Sequence, residues 1–187
     1  MAFYQAEKEA GMVARWLDEV VIGENLCPFA SLPRRQGRVD ICVSDATDDD
    51  TLVTDFMTAL GRILDTPAEQ LETILLVVPN LYPDFFDYND SLAMLETAIR
   101  LSGAEGEVQL ASFHPGYCFD GEPEDDPANY TNRSPFPIYH LLRELSVEQA
   151  LRGVDDPDAI PLRNIAYLRA MPPAKFAALF PERGTGK

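Results

Sequence analysis

A chain of 187 residues suits one domain and can bury about 70% of its unfolded surface, so no covalent staple is required. Fifteen Lys+Arg against 31 Asp+Glu leave a formal charge of −16, which repels phosphate backbones and anionic lipid surfaces. Nucleic acid and membranes are therefore not expected as partners, and with 46% hydrophobic residues in periodic runs the chain is not expected to be disordered.

In chain order, residues 4–22 place Ala6, Ala10, Val13, Trp16, Leu17 and Val20 at helical spacing, with Gly23 as the stop. A loop carrying Cys27 follows to about Gly37, and residues 38–44 alternate Val39, Ile41 and Val43 as a strand, with Cys42 on its opposite, core side. Thr47 with Asp50 resembles a capping box for a helix through Leu64. Thr66-Pro67 starts one short further turn. Residues 73–79 are apolar on both faces, as a central parallel strand requires. Residues 91–101 read as a helix ending at Gly103, and 107–113 as a third strand. Two or three short helices close a single α/β domain over 1–181, and 182–187 read as a flexible tail. The expected fold is a small parallel or mixed sheet of three strands, with room for a fourth at an edge, flanked by helices.

Three cysteines, Cys27, Cys42 and Cys118, are odd in number and widely spaced, which points to free thiols in a cytoplasm. The charged N-terminal segment lacks the form of a signal peptide, and no apolar run is long enough to span a bilayer.

Residues 114–134 make a long connection for a compact domain, and Tyr117, Phe119 and Tyr130 within it need packing partners. This segment should be ordered and folded over the carboxyl ends of the strands, where open α/β sheets bind ligands. Ser134-Pro135 reads as a helix start carrying His140, with Arg143 and Glu144 on its face. A helix start beside Asn129, Asn132 and Arg133 would form an anion pocket. Both histidines of the chain, His114 and His140, flank this segment. The plain alternative for each is a packed structural residue, as a buried inert thiol is for Cys27. The acidic run Glu122, Glu124, Asp125 and Asp126 lacks the spacing of a calcium loop and reads as a solvated loop.

Four stretches together carry a resemblance: Asn25-Leu26-Cys27-Pro28-Phe29-Ala30, residues 112–119 (SFHPGYCF), residues 125–135 (DDPANYTNRSP) and residues 140–144 (HLLRE). With residues 44–47, 86–90 and 160–169, they resemble the bacterial domain-of-unknown-function 1415 family over nearly the whole chain. The resemblance implies a small single-domain bacterial protein and assigns no activity. The family pattern has a polar residue such as Gln where this chain has Cys118, which weakens Cys118 as a ligand.

Two readings remain. In the first, the protein is an enzyme acting on a small anionic substrate, with Cys27, His114 and His140 as catalytic groups converging on one pocket. Tyr117, Asn129, Asn132, Arg133 and Arg143 would then hold the substrate. A divalent metal is a candidate cofactor, with His114, His140 and Cys27 as its candidate ligands. In the second, the same segment belongs to a non-catalytic module that binds a metabolite or a protein.

Overall fold

In the computed structural model, which describes residues 6–152, 154 and 156–181, the chain opens with α1 (Glu7–Trp16), a π-helical turn (Leu17–Ile22) and α2 (Ser31–Arg35). It continues through β1 (Val39–Val43), α3 (Asp49–Asp65), β2 (Thr73–Val77), α4 (Phe85–Leu101) and β3 (Val108–Phe113). A 3-10 turn (Pro127–Thr131) precedes β4 (Ile138–Arg143), α5 (Glu144–Leu151), α6 (Ala159–Arg169) and α7 (Pro173–Leu179). The expected start of the first helix at Tyr4 and the tail at 182–187 lie outside the described residues.

The four strands form one mixed sheet in the order β1-β2-β4-β3. β1 and β2 are parallel, while β4 runs antiparallel to both β2 and β3. The carboxyl ends of β1, β2 and β3 therefore share one edge, where β4 enters. The α/β expectation holds, with two corrections. The fourth strand is not at an edge but between β2 and β3. It also replaces the helix expected from Pro135: Ser134 Oγ donates to Phe136 O (2.5 Å) and caps no helix. Neighbours with free edges on both sides decide this, since every backbone group from Ile138 to Leu142 finds a ladder position there.

Local signals place other ends differently. Asp48, not Thr47, caps α3, its carboxylate accepting from Thr51 N (2.8 Å). α4 begins six residues before Ser91, because Asp84 accepts from the N–H groups of Phe86 and Asp87. The first helix widens after Trp16 into the π-helical turn, and Gly23 closes it without a left-handed φ. A Cβ on Gly23 would lie 2.3 Å from Glu19 O, so close approach rather than conformation demands the glycine.

The sheet divides two cores. Ile74 and Leu76 of β2, with Cys42, Tyr139 and Leu141, pack against α3 and α4. Leu75 and Val77, with Val39, Ile41, Val43, Ile138 and Phe113, face α1, the π-helical turn, α6 and α7. The doubly apolar reading of β2 and the core placement of Cys42 are both borne out. Burial among apolar groups pushes the Cys42 thiol up to about 12, and Arg62 donates to its sulfur.

A candidate ligand site on the α1–α6–α7 face

The strand alternation sends the two histidines to opposite faces. His114 follows β3 and turns toward α4, with ring contacts to Phe85 and Tyr88 (5.6 and 5.0 Å between centroids). It is 1% exposed. Its Nδ1 accepts from Gly116 N (2.9 Å), so the proton sits on Nε2, which donates to Tyr82 O (3.0 Å). Tyr82 has φ +54°, a costly backbone for a bulky residue, and His114 helps to hold that turn.

His140 faces the other way, beside Phe113 (5.9 Å between centroids). Thr73 Oγ1 donates to Leu141 O (2.6 Å), so it must accept from His140 Nε2–H (2.6 Å). Burial pushes the His140 imidazole down to about 4, which keeps the ring neutral at pH 7. Glu144, expected beside it on a helix, instead begins α5.

Cys27 lies on the same face as His140 and packs into the α1–α6–α7 core. The backbone N–H groups of Phe29 and Ala30 favour its thiolate, but burial outweighs them and raises the thiol above its ordinary value. Cys118 donates to Glu122 O (3.4 Å) and Phe119 O (3.6 Å). Cys27, His114 and His140 do not converge, because the sheet lies between the two imidazoles. Among the described residues, no three His, Cys, Asp or Glu side chains stand close enough to hold a metal ion.

The segment 114–134 is tied across itself and back to β3. His114 N donates to Asn132 O (3.2 Å) at the carboxyl end of that strand. Asn129 is fully buried and already paired: Oδ1 accepts from Phe119 N (2.9 Å) and Nδ2 donates to Pro123 O (2.8 Å). Arg169 of α6 binds both oxygens of Asp126 and, at 2.7 Å, Glu122, so the acidic run is pinned by α6. Arg143, expected to hold a substrate, is committed to the backbone. It donates to the carbonyls of Ile63, Thr66 and Leu71 and so satisfies the end of α3. Tyr117 packs between Phe85, tilted, and Phe119, edge to face (5.0 Å between centroids in each pair).

Arg133 behaves differently. Its Nε donates to Tyr117 O (3.0 Å) and one Nη to Glu124 O (2.6 Å), while the guanidinium lies 4.5 Å over the Tyr130 ring. Trp16 Nε1 donates to Arg133 O (3.0 Å), which brings α1 against this segment. Between α1, Arg133 and the end of α7 opens a groove of about 800 Å3. Trp16, Tyr130 and Phe180 supply its apolar surface, and Lys8, Arg15 and Arg133 its cations. Glu7 and Glu19 stand at its wall, so cations outnumber acids locally three to two, reversing the balance of the chain. Sequence reasoning reached Arg133 but missed Lys8, Arg15 and Trp16. The one available signal was the spacing of Lys8 and Arg15, seven residues apart on one helical stripe. A second cavity, of about 350 Å3, lies beyond the π-helical turn, against Cys27, Phe113 and Asn132.

Among known proteins, the family model described as a protein of unknown function (DUF1415) matches residues 9–178. The chain belongs to the DUF1415 family. No curated protein matches it, and no solved structure does. In this DUF1415 chain, no helix among the described residues is long and apolar enough to cross a membrane.

Proposed function

We propose that this protein binds a small amphipathic anion, a carboxylate or phosphate monoester with an apolar body, in the groove between α1, Arg133 and α7. The observation that carries the reading is the local reversal of charge. Lys8, Arg15 and Arg133 surround an aromatic groove in a chain of net charge −16. Tyr130 and Trp16 would hold the apolar body, and the Arg133 guanidinium, already oriented by two carbonyls, would meet the anion. Binding is favoured over catalysis because the sheet separates the two imidazoles and each group expected to do chemistry is held in an inactive form: His114 is spent on Gly116 and Tyr82, His140 is neutral against Thr73, and burial holds Cys27 as a thiol. Three unpaired cysteines fit a reducing cytoplasm.

Calorimetric titration with octanoate, octyl phosphate and 1-octanol tests the reading. The two anions should bind, more weakly as salt rises, and the alcohol at least tenfold more weakly. Arg15→Met should lose most of the anion affinity, and Arg133→Met all of it. Equal binding of octanol and octanoate, or full affinity in Arg15→Met, would overturn the proposal.

A further inference from the structure

The second cavity differs in chemistry from the groove, although the two lie side by side. The groove takes Val20, Tyr130 and Arg133, and the cavity takes their neighbours Val21, Thr131 and Asn132. The π-helical turn places consecutive residues in the two walls, and Val21 O accepts from both Leu26 N (2.9 Å) and Cys27 N (3.3 Å). The cavity sits at the carboxyl end of β3, beside Phe113, the position where open α/β sheets receive ligands. α6 closes it from the far side.

No Asp, Glu, Lys, Arg or His lines this cavity. Phe113, Phe119 and Ile160 make it apolar, while Thr131, Asn132 and Asn164 are polar. The Asn164 amide is committed, donating to Leu26 O (2.7 Å) and accepting from Arg163 (2.8 Å). Asn132 uses only its Nδ2, on Ser112 O at 3.4 Å, and its Oδ1 accepts no hydrogen bond among the described residues. Thr131 Oγ1 is the only side-chain oxygen among the described residues that is buried without a partner. A buried unpaired hydroxyl costs about 1–3 kcal/mol, so it is a standing reason for a polar group to arrive.

We infer that this cavity is a second binding site, for a small uncharged carboxamide with an aromatic or branched apolar body. A carboxamide offers what the wall lacks: an N–H for Asn132 Oδ1 and a carbonyl for the Thr131 hydroxyl. Rotation of Thr131 about χ1, which turns its hydroxyl toward the ligand, is part of the binding mode. A carboxylate or an ammonium would shed water and meet no charged group in the lining, so both are disfavoured. This site stands independently of the groove, because its ligand is uncharged and it uses none of Lys8, Arg15 or Arg133.

The test follows the amide resonances of Thr131, Asn132 and Asn164 in nitrogen-15 spectra during titration with benzamide, benzoate or benzylamine. Benzamide should shift them saturably, and the two charged probes should bind at least tenfold more weakly. Ile160→Trp, at a partly exposed position in the wall, should abolish the benzamide shifts. Thr131→Val keeps the shape and removes the orphan hydroxyl. It should raise the melting temperature yet weaken benzamide about five- to tenfold. Arg15→Met should leave benzamide unaffected while losing octanoate, which separates failure of the groove from failure of the cavity. The inference is overturned if benzoate or benzylamine matches benzamide, if benzamide shifts nothing, if Ile160→Trp still binds it, or if Thr131→Val binds it unchanged.

Discussion

The two faces of the sheet are covered in different ways. Against one lie two 17-residue helices, α3 and α4, and their long apolar stripes bury Ile74, Leu76 and Leu141 fully. Even the polar groups on that side are closed off: Tyr88 donates to Ile138 O (2.6 Å), Ser91 bonds Tyr139, and His114 bonds at both ring nitrogens. The other face is roofed by short pieces: a 10-residue α1, a π-helical turn, α6 and the seven-residue α7. Short pieces meet at angles and leave gaps, and both cavities lie there. A long amphipathic helix is a good lid for a core and a poor wall for a site.

That contrast can be broken by measurement. The largest effect should come from Leu76→Ala, a fully buried position under α3 and α4, at about 3–4 kcal/mol in denaturant unfolding. Leu179→Ala, on the groove, should cost no more than about 1 kcal/mol. Equal costs would mean that the second face is as tightly filled as the first.

Next is the pH response of His140. Its folded value of about 4 lies below its ordinary 6.5, so the unfolded chain takes up the proton first. Stability should be fully present above pH 6.5 and decline as pH falls toward 4, by on the order of 3 kcal/mol. Urea unfolding at pH 7, 5.5 and 4.5 measures the slope, and His140→Gln should remove this share of it. An unchanged slope in the variant would show that the ring is not buried neutral.

Arg143→Met should cost about 2 kcal/mol, because it strips the partner from the carbonyls of Ile63, Thr66 and Leu71. A loss of octanoate binding without a loss of stability would instead return Arg143 to the ligand. Gly23→Ala should cost about 1–2 kcal/mol, since the new methyl must displace Glu19 O and disturb the turn dividing the two cavities. Arg15→Met should change stability by less than about 0.5 kcal/mol, which makes it the cleanest probe of the groove.

The histidines show why the site was less legible than the fold. β1, β2, β3, α3 and most of α1 follow from periodicity, because each element's pattern reports its own buried side. The position of β4 has no such local record. Ile138-Tyr139-His140-Leu141-Leu142 follows Ser-Pro, a strong helix-start signal, and only the open edges of β2 and β3 override it. Read as a helix, that segment gives His140 a facing neighbour in Glu144 and a shared pocket with His114; as a strand it sends the two rings to opposite faces of the sheet.

Composition, charge and patterning alone determined an acidic α/β domain with a doubly buried central strand, because burial and net charge are sums over residues and need no coordinates. The family resemblance was likewise present in the motifs themselves. Only the tertiary structure decided that Asn129 and Arg143 are consumed by backbone groups, that the histidines lie on opposite faces, and that Lys8 and Arg15 stand opposite Arg133 across a groove. Most of these outcomes join distant parts of the chain: Trp16 and Arg133 meet across 117 positions, and Arg143 reaches carbonyls 72 to 80 residues away. A side chain's chemistry is set by what it meets there.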